Sequence, residues 1–250
     1  MLGIAHIHFA SIDSTNTYAK QIAKEDGRHG TLVTADYQTA GRGRLSRSWN
    51  AAPGSNILAS LILHPSRSLE DWGGLPLLAG CAVVRTLNGL ADISSEVKWP
   101  NDVMAGGKKI CGILVESGSL GSRSWAVVGI GINVNQTHFE GEYRLPPTSL
   151  ALLTGATFAV GDVIARLCRE IDLLYNVWEE EGNAPIIAQW MQHTSMIGKR
   201  IEIREHDRNR FAVAMGIADD GSLLVRGEGG EVSSVVAGDV SISPAEDSGG

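Results

Sequence analysis

Lys98-Trp99-Pro100-Asn101-Asp102, with Lys109 seven residues on and Gly112-Ile113-Leu114-Val115-Glu116 after it, sets the reading of this 250-residue chain. It places a lysine, an amide and a carboxylate on a short turn that leads into an apolar strand. Two further polar, glycine-bearing segments flank it. Gly41-Arg42-Gly43-Arg44 lies upstream, and Gly129-Ile130-Gly131-Ile132-Asn133-Val134-Asn135 lies downstream. The reading is of three such turns interrupting otherwise apolar strands.

Patterning outward from this centre predicts an α+β chain. Strands are expected at Ile4 to Ile12, Thr31 to Asp36, Asn56 to Leu63, Val97 to Trp99, Gly112 to Glu116 and Trp125 to Ile132. Ser14-Thr15-Asn16-Thr17 supplies N-cap chemistry for a helix from Tyr18 to Lys24. Leu75 to Leu87 is apolar on most faces and reads as a buried helix. From Gly161 the apolar residues Val163, Ile164, Leu167, Ile171, Leu174, Tyr175 and Trp178 recur at helical spacing. Gly182 and Pro185 break that run before a shorter helix carrying Ile186 and Trp190. After Gly198 the pattern becomes alternating, with Asp220-Gly221 as a hairpin signal and more strand over Val232 to Ile242. The expected division is residues 1–195 and a small all-β module at 196–245. Strand edges near residues 125–135 offer a surface on which two subunits could pair, so the assembly is read as a monomer or a homodimer.

A net charge of −7, from 28 acidic and 21 basic residues, argues against broad contact with a nucleic-acid backbone. Cys81, Cys111 and Cys168 are odd in number and widely spaced, which fits thiols in a reducing cytoplasm. The apolar run from Leu75 to Val84 is interrupted by Pro76 and Gly80 and is too short for a bilayer, so no membrane partner is expected.

The chemistry concentrates in the polar segments. In Gly41 to Trp49 the glycines free backbone N–H groups to approach an anion, and Arg42, Arg44 and Arg47 add charged forks for carboxylate or phosphate. Trp49 offers a flat face to a ring. Lys109 is suited to neutralise charge on a phosphate or an attacked carboxylate, and Asp102 to hold magnesium or orient a nucleophile. Ser14, Thr15 and Asn16 offer hydroxyl and amide groups to a polar ring edge. The Gly129 segment has Val134 where a dinucleotide fingerprint needs glycine, and neither a P-loop nor a G-x-S-x-G signature is present. His6 and His8 share a strand face without a third metal ligand in view.

Together, Asp13 to Thr17, Tyr37 to Arg44, Lys98 to Asp102, Lys109 with Gly112 to Glu116, and Gly129 to Asn135 resemble the biotin protein ligases in order and spacing. The resemblance implies a mixed-sheet catalytic domain followed by a small SH3-like β-barrel. It implies a two-step reaction with ATP, biotin and magnesium. The biotin carboxylate attacks the α-phosphate to give biotinyl-5′-AMP, and a lysine of a biotin carboxyl carrier protein then takes the biotinyl group. It further implies that Ser14, Thr15, Asn16, Gln38, Arg42, Gly43, Arg44, Lys109 and Gly112 contact biotin or its activated carboxylate. Arg42, Arg47, Trp49, Asn101 and Asn133 would serve ATP; Lys109, Arg44 and Asp102 would carry the chemistry, with Asp102 on magnesium. Because the motifs begin within fifteen residues of Met1, no room is read for an operator-binding helix-turn-helix, and no DNA partner is expected. Leu45-Ser46 replaces the more basic, glycine-rich continuation usual in the loop, which bears on its mobility. Lipoate ligases or octanoyl transferases, and a non-catalytic biotin sensor, are the competing readings.

Overall fold

The computed structural model describes residues 2–25, 27–205, 208–236 and 238–242. Two sheets organise it. The chain opens with β1 (His6–Phe9), α1 (Thr15–Glu25), β2 (Leu32–Ala35) and β3 (Ile57–Leu63). A 3-10 turn at Leu69–Gly73 leads into α2 (Gly74–Asn88), followed by β4 (Ser95–Lys98), β5 (Asp102–Ala105), β6 (Lys108–Leu120) and β7 (Arg123–Ile132). These seven strands form one sheet in the order β1-β2-β3-β7-β6-β5-β4, parallel only between β1 and β2. Three helices follow: α3 (Leu150–Thr154), α4 (Val160–Glu181) and α5 (Asn183–Gln192). The chain then forms a second, antiparallel sheet from β8 (Arg200–Glu205), β9 (Arg208–Ile217), β10 (Leu223–Arg226), β11 (Val232–Val235) and β12 (Asp239–Ile242), in the order β11-β10-β9-β8-β12.

Local chemistry explains the elements that position the site. Ser14 caps α1 by accepting a hydrogen bond from the Thr17 N–H at 3.4 Å, so the helix starts at Thr15 and not at Tyr18. Ser14, Thr15 and Asn16 thereby stand on its first turn, all buried. The expectation that Asp102 lies in a turn is corrected. The turn is Trp99 to Asn101 and Asp102 opens β5 directly after it, while a second turn at Gly106-Gly107, both at positive φ (57° and 72°), folds β6 back on β5. Register then sets Asp102 between Lys98 of β4 and Gly112 of β6.

The Gly129 segment divides: its first half falls in the strand expected from Trp125 to Ile132, and only Val134 and Asn135 bend. Gly129 and Gly131 lie in β7, between β3 and β6 at the middle of the sheet. β7 leaves no free strand edge for subunit pairing, because both of its edges are hydrogen-bonded to neighbouring strands. The strands left at the sheet's edges are β1 and β4. The further strand expected over Val232 to Ile242 forms as two elements. β11 and β12 lie at opposite edges of the second sheet, with Gly238 between them.

The two sheets share one apolar core. α2 is buried on nearly every face, packing against α4 and α5 on one side and the large sheet on the other. Trp99 is the joint: its indole N–H donates to the Gly221 carbonyl at 3.2 Å, and its backbone N–H approaches the Met196 sulfur at 3.3 Å. Trp178, fully buried, donates to Asn183, whose amide donates to the Asp219 carbonyl at 2.6 Å. Both contacts reach the β9–β10 turn, and so fix the second sheet against the mouth of the first. Asp239 is the consequence that matters for chemistry: it enters the site from β12.

Candidate active site

A cavity of about 530 Å³ opens above the central strands. Every site residue named from the sequence lines it: Ser14, Thr15, Asn16, Gln38, Arg42, Gly43, Arg44, Arg47, Trp49, Asn101, Asp102, Lys109, Gly112 and Asn133. A volume of this size suits an organic ligand.

One end is neutral and polar. The Gln38 side-chain oxygen accepts from the Thr15 N–H at 2.7 Å and from its hydroxyl at 3.0 Å. Ser60 donates to Asn16 at 2.6 Å, and the Asn16 amide donates to the Leu114 carbonyl at 3.2 Å and to Glu116 at 3.0 Å. Asn16 therefore serves as a strut of the wall. The floor is made of bare backbone. A Cβ on Gly129 would lie 2.2 Å from the Asn16 side-chain oxygen, and a Cβ on Gly131 or Gly112 would meet the Trp49 ring at 2.5 Å or 2.8 Å. These glycines give close approach across the sheet face. The Trp49 ring lies along this glycine strip, its indole N–H buried without a partner among the described residues.

The other end is charged. Lys109 Nζ sits 2.6 Å from Asp102 Oδ1 and 5.6 Å from the centre of a Trp49 ring. Arg44 donates to the Asn101 side-chain oxygen at 3.3 Å, and Asn101 donates in turn to the Ile113 carbonyl at 2.7 Å. Burial pulls the Arg44 guanidinium below its ordinary pKa, against the support of Asp239 and Asp102. Arg42 turns away from the centre to Glu116, which it meets at 3.1 Å, and Asn133 donates to the Thr148 carbonyl at 2.9 Å. The loop between Arg42 and Trp49 is a hairpin. Gly43 N–H donates to the Arg47 carbonyl at 2.7 Å, and Leu45 and Ser46 take φ of 54° and 60°. Neither is glycine, so the tip of this loop carries backbone strain.

Several lining residues are given no role from the sequence. Lys98, read only as part of the opening motif, is 8% exposed and stands beside Asp102 across β4 and β5. Phe139, Tyr143 and Arg144 come from the segment after β7, whose Pro146 carbonyl accepts from the Lys109 N–H at 2.8 Å. Asp239 pairs with Arg47 of the loop and, at 2.5 Å, with Arg144. One carboxylate of the second sheet thus holds two arginines at the charged end. A basic residue inside a segment of unassigned structure gave no sequence signal for this convergence.

Burial raises the Asp239 carboxyl, but the hydrogen bond from Arg47 and the charges of Arg144, Arg47 and Arg44 outweigh it and hold the pKa below its ordinary value. A depressed carboxylate stabilises the fold fully above its unfolded pKa and loses that contribution as pH falls through the folded one. Asp239→Asn is therefore expected to lower the thermal midpoint by a constant amount from neutrality down to about pH 4, and by progressively less below it. A difference that vanished already at about pH 6 would contradict this pairing.

Comparison with known proteins follows the same geometry. Residues 8–135 match the biotin/lipoate A/B protein ligase family, and residues 196–243 match the biotin protein ligase C terminal domain. The chain belongs to the biotin protein ligase family. It is 36% identical over 234 residues to the bifunctional ligase/repressor BirA of Bacillus spizizenii, covering 92% of this chain and 72% of that protein. It is 32% identical over 216 residues to the biotin–[acetyl-CoA-carboxylase] ligase of Mycobacterium tuberculosis, covering 84% of this chain and 78% of that one. Among solved structures, the biotin protein ligase from Aquifex aeolicus in complex with biotin and ATP superposes with a TM-score of 0.82 at 26% identity, over 96% of this chain and 100% of that one. The family's two matched segments are the seven-stranded sheet with its glycine strip and the second sheet that delivers Asp239.

Proposed function

We infer that this chain is a biotin–[acetyl-CoA-carboxylase] ligase, which activates biotin as biotinyl-5′-AMP and transfers it to a lysine of a biotin carboxyl carrier protein. The observation that carries the reading is the division of one cavity into a neutral hydrogen-bonding end and a cationic end. The neutral end, with Ser14, Thr15 and Gln38, suits a ureido ring, which both donates and accepts. The cationic end suits a carboxylate and a phosphate, whose mutual repulsion must be offset before they react.

In step one, the biotin carboxylate oxygen attacks the α-phosphorus and pyrophosphate leaves. Lys109 and Arg44 stabilise the charge that gathers between the two anions. Asp102 holds Lys109 in place and is the carboxylate we assign to magnesium, which enters with ATP as part of the substrate. Magnesium would be held there by Asp102 together with phosphate oxygens of the nucleotide, and would supply positive charge to the triphosphate. Trp49 is assigned to the adenine face, with Arg47, Asn101 and Asn133 around the nucleotide, while Arg42, expected there from the resemblance, is engaged by Glu116 at the root of the loop. In step two, the acceptor amine attacks the acyl carbon and AMP leaves. The loop from Arg42 to Trp49 shields the anhydride from water meanwhile.

We also assign catalysis to residues 1–195 and the second fold unit to 196–245, of which 243–245 lie outside the described residues. The overall charge of −7 supports ligase chemistry over operator binding. Among the described residues no helix is long and apolar enough to cross a membrane, and the three cysteines are free thiols, which supports a reducing cytoplasmic setting.

The deciding experiment is mass spectrometry of a purified carrier domain incubated with this protein, ATP, magnesium and biotin, with a parallel arm containing lipoate. A biotinyl adduct on one lysine is expected. Modification with lipoate alone would make the chain a lipoate ligase, and no modification with specific promoter binding in a gel shift would make it a regulator. The floor gives a second expectation. Gly131→Ala should weaken biotin binding by about 1–3 kcal/mol through overpacking against Trp49, read by calorimetry. Unchanged affinity would show that the glycine strip does not shape the ligand site.

A further inference from the structure

Glu116 closes the sequence motif that begins at Gly112, yet the reaction as described makes no use of it. Its side chain, about four-fifths buried, gathers groups from two elements onto β6. Lys20 of α1 approaches it at 2.7 Å and Asn16 of α1 at 3.0 Å. Arg42 of the glycine–arginine loop donates to both carboxylate oxygens at 3.1 Å. Backbone hydrogen bonds hold the loop's stem as far as Ala40, whose N–H donates to the Asp13 carbonyl at 2.9 Å. Arg42 is where the loop leaves that support. Beyond it, the loop's side-chain tethers among the described residues are Arg44 to Asn101 and Arg47 to Asp239, both at the charged end.

We propose that Glu116 is a positioning residue of the ligase reaction: it fixes the Arg42 root of the loop against the first turn of α1, and so sets how long activated biotin stays enclosed, without touching the reacting atoms. The reasoning rests on the ligase reading above. The wall carrying Ser14 and Thr15 and the loop that covers it are separate elements with no backbone ladder between Arg42 and α1. A shared carboxylate gives them a common origin. Arg42 bridges both carboxylate oxygens from a single guanidinium nitrogen, whereas Lys20, a compact point charge, meets Oε1 alone. Of the two cations, Arg42 is therefore the one through which Glu116 acts on the loop, and Lys20 serves the fold.

The test measures the rate at which biotinyl-5′-AMP leaves the purified protein in a chase, for the parent, Glu116→Gln, Arg42→Met, the double variant and Lys20→Met. Glu116→Gln and Arg42→Met should each speed release by roughly 10-fold, the scale of one charge-assisted hydrogen bond. The double variant should release no faster than the quicker single, within about 2-fold, because both changes break one interaction. Lys20→Met should lower the thermal midpoint while leaving release within about 2-fold of the parent. Release at the parental rate in Glu116→Gln, multiplying effects in the double variant, or Lys20→Met matching Glu116→Gln would each overturn the proposal. Arg42 lies on an exposed loop, so Arg42→Met at the parental rate overturns it even if Glu116→Gln fails to fold. A parent that forms no biotinyl-5′-AMP overturns the ligase reading itself, and this proposal with it.

Discussion

Lys109→Ala is expected to slow formation of biotinyl-5′-AMP by at least ~3 kcal/mol of barrier, roughly a hundredfold or more, the scale of losing one preorganised electrostatic stabiliser. Its position explains why the loss should be large. Lys109 is brought to the cavity by a two-glycine hairpin, its backbone is tied on both sides to the Pro146–Thr148 segment, and its amine is 2.6 Å from Asp102. It is therefore aimed before ligands arrive. Removing the amine also leaves the largely buried Asp102 carboxylate without its ion-pair partner, a cost added to the lost attraction. The losses from Lys109→Ala and Asp102→Asn should then not add. Single-turnover adenylation at saturating biotin and magnesium–ATP measures this. A near-parental rate in Lys109→Ala would remove the lysine from the chemistry.

Arg44→Gly should act on retention more than on formation. Arg44 reaches inward from the loop to Asn101, in the field of Asp102 and Asp239. Its burial costs the guanidinium solvation, a cost that an anionic ligand would offset. A hydrogen bond to a charged group contributes about 1.5–3 kcal/mol, so the variant should lose biotinyl-5′-AMP on the order of 10–100 times faster. The adjacent Leu45 and Ser46 sharpen the expectation. Both sit in the left-handed region, so the loop tip favours release unless its arginines hold it. A variant that keeps the intermediate as long as the parent would show that the loop is not a lid.

How much of this was legible in the sequence depended on distance along the chain. Ser14 before a helical run and Asp220-Gly221 between apolar runs are local signals, and each formed the cap or turn its chemistry favours. The polar segments also named residues that share one cavity. Where the reading erred, periodicity was silent about partners. Gly129 and Gly131 look like a turn in isolation, but in the sheet they are the bare stretch under Asn16 and Trp49. Asp102 looks like a loop carboxylate until β5 is paired on both sides. Val232 to Ile242 is β-rich throughout, and nothing local reveals that its halves border opposite edges of a sheet. Asp239 could not be foreseen at all, because its partners Arg47 and Arg144 are met only after the second sheet docks on Trp99.

The central claim is that Lys109 and Arg44 jointly receive the carboxylate of biotin and the α-phosphate of ATP. A crystal structure of this protein with biotinyl-5′-AMP tests it most directly. The account predicts the ureido ring against Ser14, Thr15 and Gln38, with Lys109 Nζ and the Arg44 guanidinium within hydrogen-bond distance of the acyl-phosphate oxygens. Ligand bound in this cavity with Lys109 still engaged only by Asp102, and Arg44 only by Asn101, would contradict it.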